Sequence, residues 1–254
     1  MKKILALLLV LAMVLSFAAC AKQTEAPTAP AETTAATQAP TTETSTETEP
    51  PAPAAMSHEE YMAAEMNSQV TVETYVQGHQ SWWDNKVTVY CQSPEGACFL
   101  YELACSQADA AKLTPGTKIR VSGFKGEWAG EVEIMEGTFE FVAGDSFVAQ
   151  ALDVTDLLGT DEMAAHQNEL VAFKGMTVED VAYKNGEPGD DIYVTLGKDG
   201  QSYSFCVEVY LTGPDSDVYT TVGELNLGDT VDVEGFLYWY EGMNPHITAI
   251  SVVG

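Results

Sequence analysis

The sequence predicts a mostly β protein: two tandem five-stranded Greek-key barrels, each with a short helical connection, after a disordered tether. Three observations carry this expectation. One pattern occurs twice at an offset of 112 residues, as LTPGTKIRVSGF from Leu113 to Phe124 and as LNLGDTVDVEGF from Leu225 to Phe236. Around each copy, short runs alternate apolar and polar residues, the period of half-buried strands. The 199 residues from Met56 to Gly254 suffice for two small domains. Residues 21–55, rich in Thr, Ala, Pro and Glu, carry no large apolar side chain from which to build a core.

The elements follow in order. Lys2 and Lys3 precede an apolar run of 14 residues, too short to span a bilayer comfortably, and Ala18-Ala19 precede Cys20. This resembles a bacterial lipoprotein signal, with Phe17 where that family usually has leucine. The resemblance implies removal of residues 1–19, a lipid on Cys20, and a membrane partner at the outer face of the cytoplasmic membrane. An ordinary secretory signal with an incidental cysteine is the other reading. Residues 20–55 then form the tether, which proline keeps extended.

Residues 56–144 make the first domain. Ser57-His58-Glu59-Glu60 is a capping box that starts a helix, from which Tyr61, Met62 and Met66 pack on the barrel while His58 stays exposed. VTVETYV, KVTVYCQ and CFLYEL read as strands, the last two joined at Ser93-Pro94-Glu95-Gly96. That turn sets Cys91 opposite Cys98, Tyr90 opposite Phe99 and Val89 opposite Leu100, with Tyr90, Phe99 and Tyr101 on the outer face; a slip of one residue reverses the third strand. A helical SQADAAKL leads to the repeat, and EVEIMEGTFEFV closes the domain.

Residues 145–254 hold a connecting segment and the second domain. One or two short helices carry His166 at the surface. ELVAFKGMTVEDVAY, DIYVTLG and SYSFCVEVY follow, with Asp199-Gly200 as a hairpin turn. A segment over 217–225 replaces the helix, and HITAISVV is the last strand. Ile192, Val194, Leu196, Tyr203, Phe205 and Val207 face inward, and Tyr193, Thr195, Ser204 and Cys206 outward.

Strand, hairpin, helical connection, strand, loop, strand is the order of an OB-fold. The whole of residues 56–254 resembles a tandem OB-fold lipoprotein of Gram-positive bacteria, a resemblance that implies the fold and the surface location but no ligand. A two-domain β-sandwich is the competing fold, and it would lack the helix before Pro115-Gly116.

The formal charge is −27, and loss of Lys2 and Lys3 leaves 9 basic against 38 acidic residues, or −29. Nucleic-acid affinity needs Lys and Arg to displace counterions, so the balance disfavours a nucleic-acid partner. It suits neutral or cationic ligands.

OB-folds bind across the second and third strands, between the first loop and the loop joining strands four and five. All four tryptophans fall in those loops: Trp82 and Trp83 in the first, Trp128 and Trp239 in the later ones. They either cap the barrel mouths or face a ligand. As neighbours on extended backbone, Trp82 and Trp83 point opposite ways, which places at least one inside. The binding reading has Trp82, Trp83, Tyr90 and Trp128 stack on a neutral glycan while Asp84, Asn85 and Glu127 hydrogen-bond it. Tyr238, Trp239 and Tyr240 make a second site or a domain contact. The rival is a structural or envelope-protein docking module in which the aromatics seal the barrels together; single-strand nucleic-acid binding is third, by fold analogy.

No nucleophile elbow, zinc-helix, Walker or dinucleotide motif is present, and the histidines at 58, 79, 166 and 246 lack ligand spacing. The expectation is therefore no enzyme, no metal and no cofactor. Acidic stretches at 185–191 and 215–217 read as solvated loops, without the spacing of a calcium loop. Cys91 and Cys98 are the pair a disulfide would join; the alternative is four buried free thiols at Cys91, Cys98, Cys105 and Cys206.

Overall fold

The computed structural model describes residues 54–253. The signal, Cys20 and nearly all of the tether lie outside the described residues. Helix α1 (His58–Ala63) begins at the expected capping box, with Glu60 N–H donating to Ser57 and Ser57 N–H to the Glu60 carboxylate. Its Tyr61 is buried against the first barrel. Met62 and Met66 are not: a helix of six residues presents one face to the barrel, and both methionines stay exposed. His58 is half-buried rather than exposed, because it packs over Gly96.

Strands β1 (Gln69–His79), β2 (Lys86–Ser93), β3 (Gly96–Ala104), β4 (Lys118–Trp128) and β5 (Glu131–Phe141) close a barrel in the order β1-β2-β3-β5-β4. β3 and β5 run parallel and the other pairs antiparallel. Helix α2 (Gln107–Ala110), capped by Ser106, fills the expected position between β3 and β4. The β2–β3 register is the one the Pro94-Glu95 turn dictates: Val89 faces Leu100, Tyr90 faces Phe99, and Cys91 faces Cys98. Val89 and Leu100 accordingly lie in the barrel core.

The second half repeats the plan. β7 (Leu170–Tyr183), β8 (Ile192–Lys198), β9 (Gln201–Val207), β10 (Thr230–Phe236) and β11 (His246–Val252) pair as β7-β8-β9-β11-β10, and β10 returns to β7. A two-residue strand, β6 (Leu152–Asp153), adds itself in parallel to β7. Two 3₁₀ turns, Thr155–Leu157 and Asp161–His166, stand where short helices were expected. Short helices α3 (Val209–Thr212) and α4 (Asp217–Gly223) precede β10. Asp199 and Gly200 both have positive φ, at 51° and 78°, and turn β8 into β9. Ile192, Val194, Leu196, Phe205 and Val207 are buried in this core, as their alternation requires. Cys206 lies on the opposite face yet is also buried. The chain is thus a tandem pair of OB-fold-like barrels.

The barrels meet over the outer face of β2 and β3. Tyr90 is fully buried there and stacks on Phe236 at 4.4 Å between ring centroids and 12° between planes. Its hydroxyl bonds His246 Nδ1 at 2.6 Å. Phe99 meets Tyr238 edge-on, and Tyr238 stacks on His246. Gly78 lets Phe236 approach: a Cβ there would lie 3.1 Å from its ring. Ser81 N–H donates to Tyr210 O at 2.7 Å and Glu241 N–H to Ala129 O at 2.7 Å, so both binding-side loops of the first barrel are bonded to the second.

Candidate ligand-binding site

Where the second barrel stops covering β3, a cleft of about 310 Å³ remains open. Tyr101 on β3 and Trp128 at the end of β4 form one side, and Tyr238 and His246 of the second barrel form the other. Trp128 is 55% exposed and Tyr101 44%. Trp128 packs against Tyr240 at 5.1 Å, so a residue of each barrel shapes this rim. The tight turn that presents Trp128 has Ala129 at φ 51° and Gly130 at φ 91°, and a Cβ on Gly130 would lie 2.8 Å from Trp239 Cδ1. Here glycine serves both the turn and the barrel contact.

Gln80 and Thr88 join the cleft to a second recess of about 350 Å³. Trp83, 79% exposed, and Tyr210 flank it, again one from each barrel. Lys86 lies in this recess but is paired to Glu102 at 2.6 Å.

The acids around the cleft are unusual. Glu131 and Glu133 lie on the outer face of β5 and are buried all the same, because the second barrel packs over them. Burial pushes the Glu131 carboxyl up to about 8, opposed by the Asn168 amide and the Trp239 N–H that donates to it at 2.9 Å. Burial alone raises Glu133. Burial likewise lifts Glu208, which caps α3, to about 7. It depresses His246 to about 4, leaving a neutral imidazole at neutral pH. The cleft therefore offers aromatic rings, amide and hydroxyl groups and the Glu133 carboxyl, and among the described residues its lining contains no Lys or Arg.

The sequence-derived site needs several corrections. Trp83 is exposed in the loop after β1, and Trp128, expected in the later loop, is exposed at the end of β4. Trp82 caps the barrel, packing on the first core with its Nε1–H donating to Cys105 O at 2.8 Å, and it is only partly buried, so that it also lines the recess beside Trp83. Tyr90 is sealed between the barrels and meets no solvent. Asp84 and Asn85 have φ of 45° and 62° and form a two-residue turn in which Trp83 and Lys86 exchange backbone hydrogen bonds. Such a turn selects Asp and Asn for their tolerance of positive φ, which explains both residues without a ligand. Glu127 is exposed but outside the cleft. Trp239 is wedged at the barrel contact, whereas Tyr238 lines the same cleft as Trp128 instead of a second site. Cys91 and Cys98 face each other as free, buried thiols, and burial pushes the Cys91 thiol up. Sequence reasoning missed Glu133, Gln80 and Tyr210. The alternation in EVEI places Glu131 and Glu133 away from Ile134, but nothing in it announces a covering barrel.

No protein-family model and no curated protein matches the chain. Solved structures similar to it include a murine DNA-binding protein bound to double-stranded DNA, at 10% identity and a TM-score of 0.36 over 72% of this chain and 95% of that one. A replication protein A heterotrimer bound to single-stranded DNA is 13% identical with a TM-score of 0.30, over 72% and 50%. The asparaginyl-tRNA synthetase of Pyrococcus horikoshii is 17% identical with a TM-score of 0.28, over 34% of this chain; the match spans only 19% of the synthetase.

Proposed function

We propose that this chain is a non-catalytic binding module, held at the outer face of the cytoplasmic membrane by a lipid on Cys20, whose cleft receives an extracellular glycan. The observation that carries the reading is the open pair Tyr101 and Trp128 on an otherwise covered face. Exposed aromatic rings cost hydration, and rings beside hydrogen-bonding groups in a concave site favour a ligand that stacks. Sugars stack their C–H faces on such rings and bond hydroxyls to groups like Gln80 and Thr88.

The rival structural or docking reading expects aromatics that seal the barrels together, and Tyr90, Phe99 and Phe236 do so; it does not account for Tyr101 and Trp128 lining an open cleft rather than a flat patch. Single-stranded nucleic acid is the second reading. Tyr101 lies on the third strand and Trp128 at the end of the fourth, bordering the region where OB-folds stack bases. Against it stands the charge of −27 and a cleft without a free cation.

Titration of the purified protein with soluble glycans and with oligonucleotides, read by tryptophan fluorescence, separates these. A saturable change with one glycan class, lost in Trp128→Ala, supports the first reading. Binding confined to oligonucleotides and abolished by raised salt replaces it with the second. A folded protein silent to both leaves the docking role.

A further inference from the structure

Glu133 stands apart from the other acids of the first barrel. Glu73 is held by Lys118 and Arg120, and Glu102 by Lys86. Glu131, also buried, accepts from the Trp239 N–H. Glu133 is 5% exposed and lines the cleft; its carboxylate oxygens reach only the water of that cleft, and among the described residues it has no side-chain hydrogen bond and no cation. A carboxylate so largely withdrawn from water and lacking a partner gains from any cation that enters beside it. Its neighbours around the opening are the rings of Tyr101, Trp128 and Tyr238, and the ring of His246. His246, kept neutral by its burial, offers no countercharge.

Rings around a carboxylate are suited to one chemistry in particular. A weakly hydrated organic cation gains from ring quadrupoles and from the negative charge, and it gives up little hydration on entry. A metal ion would need several oxygen ligands, and a neutral ligand would leave Glu133 without a countercharge. The acidity of the whole chain adds a field that draws cations toward the opening.

We propose that the cleft seats an alkylated ammonium group against Glu133, with Tyr101, Trp128 and Tyr238 around it. The inference rests on the reading of the cleft as a ligand site and specifies the charged part of what it binds. The volume of about 310 Å³ leaves space beyond such a head group for the scaffold that bears it, and that scaffold would extend past Gln80 and Thr88 toward Trp83.

The test compares choline with 3,3-dimethylbutan-1-ol, its neutral isostere, in titrations of the full protein read by tryptophan fluorescence and calorimetry. Choline is expected to bind at least roughly tenfold more tightly, about 1.4 kcal/mol. Glu133→Gln, nearly the same shape, is expected to erase that preference while the isostere binds as before. Equal binding of the two probes to the wild-type protein overturns the proposal without any variant, as does a Glu133→Gln protein that keeps the preference. Should the variant fold poorly, the wild-type comparison still decides, and Tyr101→Ala on the exposed rim should weaken choline selectively. Glycan binding with choline silent defeats this inference alone; choline binding with every glycan silent defeats the glycan reading alone.

Discussion

Tyr90 and Tyr101 sit on the outer face of the first barrel, on adjacent strands, and meet opposite fates. Tyr90 stacks on Phe236 and sees no water. Tyr101 lines an open cleft and is 44% exposed. Both belong to the region where a lone OB-fold would take its ligand. The difference teaches that the second barrel has taken over part of that region as a packing surface and left the rest, with its walls now drawn from both halves of the chain. An aromatic residue on this face is thus not by itself a mark of binding; coverage by the second barrel decides.

The comparison breaks most visibly on the covered side. Tyr90→Ala should lower unfolding free energy by about 3 kcal/mol or more, in keeping with large-to-small aromatic substitutions at buried sites, as measured by urea denaturation. An unchanged midpoint would mean that the barrels do not depend on this contact.

Glu131 gives the next largest effect, through pH. Its ordinary value is 4.5 and its folded value about 8, so between them the folded chain keeps a proton that the unfolded chain has lost. Its contribution is therefore complete below about 4.5 and is lost as pH rises through about 8. Glu131→Gln should flatten the fall in thermal midpoint between pH 5 and 9, leaving a shallower slope from Glu208, which rises to about 7 for the same reason. His246 acts in the opposite sense. Depressed from 6.5 to about 4, it removes stability as pH falls through that range in wild type and variant alike. A slope identical in both proteins would sink the assignment of Glu131.

On the open side the sign of the expected change moves from stability to binding. Trp128→Ala should shift unfolding by no more than about 0.5 kcal/mol and weaken ligand binding roughly tenfold. Loss of stability without loss of binding would assign Trp128 to packing, together with Tyr90. The smallest effect belongs to Asn85→Gly. At a φ of 62° glycine is at least as comfortable as asparagine, so stability should hold or rise slightly and binding should not change. A loss of affinity would return Asn85 to the site.

Much of the fold was legible in the sequence because local rules agree with the global structure. The capping box at Ser57, the Pro94-Glu95 and Asp199-Gly200 turns and the strand alternation each specify their own element, and the turn fixes the β2–β3 register. The site was legible in part. The alternation that put Tyr90 on the outer face was right, yet it cannot distinguish solvent from a second barrel. Asp84 and Asn85 looked like ligand-binding groups because their side chains are polar, whereas their backbone angles are what the chain requires of them. Glu133 was hidden for the reverse reason: a carboxylate on an outer face reads as hydrated until a neighbouring domain removes the water.

Trp128 and Tyr240 occupy equivalent positions in the 112-residue repeat, and their rings touch at 5.1 Å. Corresponding loops of the two copies thus meet each other, as matching patches do across the axis of a symmetric dimer. Two free barrels would have to overcome a loss of translational and rotational freedom of about 4–15 kcal/mol to hold such a contact. The peptide between β5 and β7 removes that cost by raising the effective concentration of each partner for the other. Covalent continuity therefore lets a modest contact persist at any dilution, and a cleft walled by both copies stays assembled where a dissociable pair would fall apart.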